Sequence, residues 1–219
     1  MPGENLVTLP MAPPLARGRQ RERLVARARL LAWAGLGWHL AEAAIAIAAG
    51  IAAGSIALVG FGADSLIEAI AGVVVIWLMA GGRSASAPAE RRAQQLIAAS
   101  FVLLAGYVGV ESVRDVLGSH HPDPSWAGIG LSVVTLATMP PLAAAKRRVG
   151  VALGSSATTS ESRQTILCAY LSGALLAGLG ANALLGWWWA DPVAALAIAA
   201  VALREAREAW RGRSCACCA

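Results

Sequence analysis

The sequence predicts an all-α integral membrane protein: a bundle of six transmembrane helices with both termini in the cytoplasm. Three observations carry that reading. The 219 residues are 57% hydrophobic and 14% charged, with a mean hydropathy of +0.60. Those values exclude a disordered chain and do not suit an ordinary soluble domain. Apolar stretches recur, each near the roughly 20 residues that a spanning helix needs. Finally, of the 18 basic residues, all but Arg114 fall in or beside four segments: 17–29, 83–92, 146–163 and 204–213. Basic clusters alternating with apolar spans follow the positive-inside rule. A nucleic-acid partner would ask for a continuous basic face instead.

Residues 1–29 form a basic cytoplasmic segment. No apolar core begins near Met1, so no cleavable signal peptide is expected. The stretch RGRQRERLVARAR suits anionic headgroups, either along the membrane surface or as a helical lead-in. Residues 30–209 make the transmembrane domain. Span 1 is about Leu30 to Ile51. A short outer turn at Ala53-Gly54-Ser55 leads to span 2, about Ser55 to Ala80. The Gly/Ser/Ala/Pro linker Gly81 to Arg92 reads as cytoplasmic. Span 3 runs from about Ala93 to Leu117, with Glu111, Arg114 and Asp115 placed to pair near its outer end. The polar loop GSHHPDPSW should face outside. Span 4, about Trp126 to Ala145, should kink at Met139-Pro140-Pro141. Ser155 or Ser156 should cap a fifth helix, about Ala157 to Leu185. Trp187, Trp188 and Trp189 suit the outer interface. Asp191-Pro192 opens span 6, with Pro near its first turn and Asp near the positive helix end. Residues 210–219 are a short tail holding Cys215, Cys217 and Cys218. The charge rule puts these in the reducing cytoplasm, so no disulfide framework is expected.

The most informative stretch is GSIALVGFGADSLIEAIAGVVVIWLMA, residues 54–80. It is apolar enough to span, yet it carries Asp64 and Glu68. Acids at such depth cost about 2.5–3.5 kcal/mol each on insertion scales and usually mark an ion or proton path. Their i, i+4 spacing sets both on one face. Two adjacent carboxylates repel, so they call for a cation or a shared proton. The competing reading is a pair satisfied by hydroxyls or an Arg on another helix.

A second group lies on helix 5, in ESRQTILCAYLSG. Glu161, Gln164 and Cys168 share a face there. With Asp64 and Glu68 they offer carboxylate, amide and thiolate donors for one divalent ion. Zinc accepts carboxylate and thiolate ligands, and thiolates favour transition metals over magnesium or calcium. Each residue also has a plainer reading: Cys168 as core packing, Gln164 as a solvated polar residue, Glu161 as an interfacial helix-start acid. His39 and Glu42 on span 1, three apart, read either as a proton-shuttle pair or as a His satisfied by its neighbour. The Glu111, Arg114, Asp115 group reads best as a structural ion cluster.

The pattern SIALVGFGADSLIEAIAGVVV resembles the second transmembrane helix of the cation diffusion facilitators. ESRQTILCAYLSGALLAGL and WWWADPVAALAIAAVAL resemble the fifth and sixth. The resemblance covers about Leu30 to Ala209. It implies transport of Zn²⁺ or a related ion such as Co²⁺, Cd²⁺ or Fe²⁺, out of the cytoplasm in exchange for protons, by a homodimer. It implies a site of two residues from helix 2 and two from helix 5: Asp64 and Glu68, then Gln164 and Cys168. Glu161, His39 and Glu42 stand as secondary candidates. The sequence departs from the family by placing Gln and Cys on helix 5 and Glu second on helix 2. Only about ten polar residues follow the last span, so the resemblance is to tail-less members, which must pair through membrane helices.

The expected function is therefore proton-coupled, alternating-access efflux of a divalent metal, zinc first, in a bacterial inner membrane. Ligands must lose their protons to bind metal, so protons compete at the same atoms. The alternative is a non-transporting scaffold or partner subunit with internally paired acids. No catalytic triad, phosphate loop or zinc-protease motif points to an enzyme, and no resident cofactor is expected. The terminal cysteines suit metal delivery or palmitoylation, or simply a reduced tail.

Overall fold

A computed structural model describes residues 14–80, 87–118 and 121–211. The tail cysteines Cys215, Cys217 and Cys218 lie outside the described residues, as do positions 1–13 and the first half of the Gly81–Arg92 linker. The described residues form six helices and no strand: α1 Pro14–Ala53, α2 Ile56–Ala80, α3 Ala87–Gly118, α4 Trp126–Leu153, α5 Ser156–Leu185 and α6 Ala190–Trp210. Among them, α1, α2, α4 and α5 contain segments long and apolar enough to cross a membrane. Leu30, Leu103, Leu117, Tyr170 and Leu184 are each more than 65% exposed. So much bare apolar surface is what a lipid environment covers.

Boundaries of three helices differ from the sequence expectation, among them α4, which runs to Leu153 rather than to about Ala145. Helix α1 begins at Pro14, so the basic segment is a helical lead-in continuous with span 1. Helix α3 starts at Ala87, six residues early. Pro88 permits this, because a proline in the first turn removes only an N–H with no helical partner. Helix α4 stays helical through Pro140 and Pro141.

The chain turns twice in the same way. At Gly54-Ser55 the Ser55 hydroxyl accepts the Leu58 N–H (3.1 Å), and the Ser55 N–H reaches Gly50 O (2.9 Å). At Gly154-Ser155 the Ser155 hydroxyl accepts the Thr158 N–H (3.3 Å), and the Ser155 N–H reaches Gly150 O (2.9 Å). Both turn glycines have a positive φ, 65° and 64°, which side chains resist. Gly50 and Gly150 let the partner helix approach: an added Cβ would come within 2.7 Å of Val59 or 3.0 Å of Thr159. The two hairpins, α1–α2 and α4–α5, therefore repeat one another position for position. Asp64 is matched by Gln164, Ser65 by Thr165, and Glu68 by Cys168.

The hairpins point opposite ways. Ala53 O accepts the Asp123 N–H (2.8 Å) and Ser55 Oγ bonds Asp191 (2.5 Å), so the Gly54 turn, the α3–α4 loop and the α5–α6 turn share one end. The Gly154 turn lies one 28-residue helix away, about 42 Å at 1.5 Å per residue. Asp191, in the first turn of α6, also caps a neighbour: Oδ2 accepts the Ala57 N–H (3.3 Å), tying α6 to the start of α2. Phe61, Leu58, Leu175, Leu179 and Ile198 fill the centre at 1% exposure or less. Gly178 allows α6 in close; a Cβ there would lie 2.8 Å from Ala194, the small-residue packing that lipid favours.

Candidate metal site

Helix α1 buries a stripe that includes Ala32, Leu36, His39, Glu42 and Ala46, at the three- and four-residue spacing of one helix face. Two of these residues are polar, and they meet α2, α4 and α5 in the middle of the bundle. His39 Nδ1 lies 3.3 Å from Glu42 Oε2, and Nε2 lies 3.1 Å from Glu68 Oε2. Glu42 is further held by the Ser65 hydroxyl (2.9 Å), the Thr135 hydroxyl and the Cys168 thiol (3.6 Å). Four helices thus supply partners to one buried carboxylate. The hydroxyls keep it from standing uncompensated, at a site where an unpaired charge is costly.

Glu42 consequently orients the imidazole. With Nδ1 turned to Glu42, Nε2 faces Glu68. Ligand atoms of His39, Glu68 and Cys168 all lie within 4.8 Å of one another, and all three side chains are buried. A carboxylate behind a histidine, aiming its other nitrogen at a metal, is a recurrent arrangement in zinc sites. Zinc bonds of about 2.0–2.3 Å put tetrahedral ligand atoms roughly 3.3–3.8 Å apart, so the group is near its metal-holding size. Although Glu68 Oε2 is within ion-pair reach of His39, it has no aligned hydrogen-bond partner. An oxygen so placed retains a free lone pair for a cation.

The other sequence candidates fall around this group. Asp64 is buried at 4% exposure, one turn from Glu68 on α2, and lies outside the three-residue cluster. Gln164 is half-buried one turn before Cys168. Glu161 is buried two turns before Cys168, and its Oε1 lies 2.8 Å from Lys146 Nζ. Glu111 and Arg114 form an exposed ion pair at 2.6 Å, well away from the site. Three partners have no individual sequence motif: Ser65, Thr135 and Lys146. Lys146 looks like one of a surface trio with Arg147 and Arg148. Only its helical phase separates it, since it continues the buried stripe Thr135, Met139, Ala143 on α4.

The chemistry of an N, O and S donor group drawn from three helices inside an apolar bundle is cation handling, and comparison with known families agrees. Residues 32–211 match the cation efflux transmembrane domain. The chain belongs to the cation efflux family. That membership makes it an integral membrane protein and a metal cation transporter. No curated protein matches the chain. Within the cation efflux architecture, this chain sets an α1 histidine beside the α2 and α5 donors.

Proposed function

We propose that this protein exports a divalent transition-metal ion, zinc before others, from the cytoplasm in exchange for protons. The observation that carries this is the convergence of a His39 ring nitrogen, a Glu68 oxygen and Cys168 Sγ within 4.8 Å of one another in a buried site. A nitrogen–oxygen–sulfur set prefers zinc, cobalt or cadmium to magnesium or calcium. Asp64 supplies a further carboxylate one turn along α2, and Gln164 a polar flank on α5. The basic lead-in of α1 and the Lys146 to Arg148 cluster mark the Gly154 end as cytoplasmic. All six helices then cross the membrane, and the described ends of α1 and α6 both lie on the cytoplasmic side. Ion binding displaces protons from Cys168 and the carboxylates, and rocking of the two hairpins exposes the site to the far side, where protons return. Two copies pair through membrane helices in a bacterial inner membrane.

A scaffold with internally satisfied acids accounts less well for the site, because Glu68 Oε2, though 3.1 Å from His39 Nε2, is buried without an aligned hydrogen bond. The deciding experiment is uptake of Zn²⁺, Co²⁺ and Cd²⁺ into vesicles holding the purified protein under a proton gradient. Asp64→Ala and Glu68→Gln should each abolish uptake. Wild-type rates in both would end this reading, and so would a wild-type protein with no flux.

A further inference from the structure

The functional reading leaves one buried ion pair unused. Lys146 is 1% exposed and Glu161 5% exposed. Lys146 Nζ lies 2.8 Å from Glu161 Oε1 and donates to Thr165 Oγ1 at 3.1 Å. Burying such a pair is unfavourable unless its geometry is complete. This one is incomplete, for Glu161 Oε2 is buried with no hydrogen-bond partner. Room for the pair is made by glycine. A Cβ on Gly35 of α1 would stand 2.7 Å from Lys146 Nζ, and one on Gly72 of α2 would stand 3.9 Å from Glu161 Oε1.

The pair lies to one side of the metal group along the bundle. Gly35 is a turn before His39, Gly72 a turn beyond Glu68, and Glu161 two turns before Cys168. Helices α1, α2 and α5 all step from the three-ligand group toward the Gly154 end, where α4 delivers Lys146. The ammonium and carboxylate therefore lie between the metal group and the basic end, at the junction of four helices. Thr165 spans the interval, hydrogen-bonded to Lys146 one turn from Cys168.

We propose that Glu161 is a second cation-binding position, on the cytoplasmic approach to the metal group, and that the Lys146 ammonium fills it while no divalent ion is passing. This rests on the transport reading above. A divalent ion and Lys146 compete for the same carboxylate. The ion takes Glu161, with Oε2 already bare, and the Lys146 ammonium withdraws toward the basic end. When the ion moves on to His39, Glu68 and Cys168, the ammonium returns and closes the approach behind it. The bond changes are only exchanges of ionic partners, with no proton or electron consumed.

The test counts Co²⁺ bound by purified protein in detergent and follows its uptake into vesicles. Wild type should bind one equivalent. Lys146→Met should bind a second, and the paired Lys146→Met/Glu161→Gln variant should return to one. A folded Lys146→Met protein that still binds one equivalent overturns the proposal. Should that variant fail to fold, the neutral pair decides. It should keep its single Co²⁺ but take up the ion at least tenfold more slowly at sub-saturating concentration. Uptake within twofold of wild type shows a merely structural pair and overturns the proposal. Wild type that binds no Co²⁺ overturns the transport reading itself, and this one with it.

Discussion

His39 Nε2 lies 3.1 Å from Glu68 Oε2, across the interface of α1 and α2. The contact makes the first helix a partner in a site that sequence spacing assigns to the second and fifth. If His39 is a ligand, His39→Ala should weaken Co²⁺ or Zn²⁺ binding at least 100-fold, in the same range as Glu68→Gln. Isothermal titration in detergent measures both. An unchanged dissociation constant in His39→Ala would reduce the residue to packing.

Glu42 accepts from the Cys168 thiol and stands beside His39 Nδ1, yet lies outside the three-residue cluster. Glu42→Gln should keep one bound ion but weaken it about 10–100-fold, the usual effect of losing a ligand's orienting partner. Thr135→Val should act the same way and more mildly. Loss of the bound ion altogether in Glu42→Gln would instead make Glu42 a direct ligand.

Cys168 gives the site its softness. In Cys168→Ser, Cd²⁺ affinity should fall at least tenfold more than Mn²⁺ affinity, since thiolate ligation favours softer ions. The near-ultraviolet charge-transfer band of the Co²⁺ complex should vanish with the sulfur. Because the thiolate forms on binding, metal should also displace protons and bind more weakly as the pH falls. A pH-indicator titration in weak buffer reads the release directly.

Asp191 supports the fold at the opposite end. Asp191→Ala would leave the Ser55 hydroxyl and the Ala57 N–H buried without their acceptor. The expected cost is about 1–3 kcal/mol, seen as a lower unfolding midpoint in detergent. Metal binding at low temperature should be unchanged.

Gly35→Ala probes the buried pair without altering either charge. The new Cβ would press on Lys146 Nζ, while the helix itself gains, by up to about 1 kcal/mol, from replacing glycine. The ammonium, at the end of a flexible side chain, should yield. The Michaelis constant for Co²⁺ uptake should then fall at least twofold, with helicity unchanged.

Much of this architecture is legible in the sequence because lipid makes polar residues conspicuous. Asp64 and Glu68 interrupt an apolar run, and Ser155 caps its helix as its type and place suggest. The rotation of each helix about its axis is another matter. Nothing in the order of residues says that Glu68 and Cys168 face His39 while Asp64 stands a turn aside. That is set by neighbouring helices packing against small residues such as Gly62 and Gly178. Lys146 is hidden for a related reason. Adjacent to Arg147 and Arg148 it reads as surface charge, and only the three- and four-residue rhythm of α4 carries it inward while they stay exposed.

The doubled glycine–serine turn has a mechanical consequence. Its two copies lie at opposite ends of the bundle, so the two like-built hairpins are set head to tail. On the transport reading, rocking one hairpin against the other would turn the shared site from one end of the bundle to the other with both turns left closed. The protein then needs no hinge inside a span. The local bonds at Ser55 and Ser155 survive the stroke, and only the seam between the two halves has to break and reform.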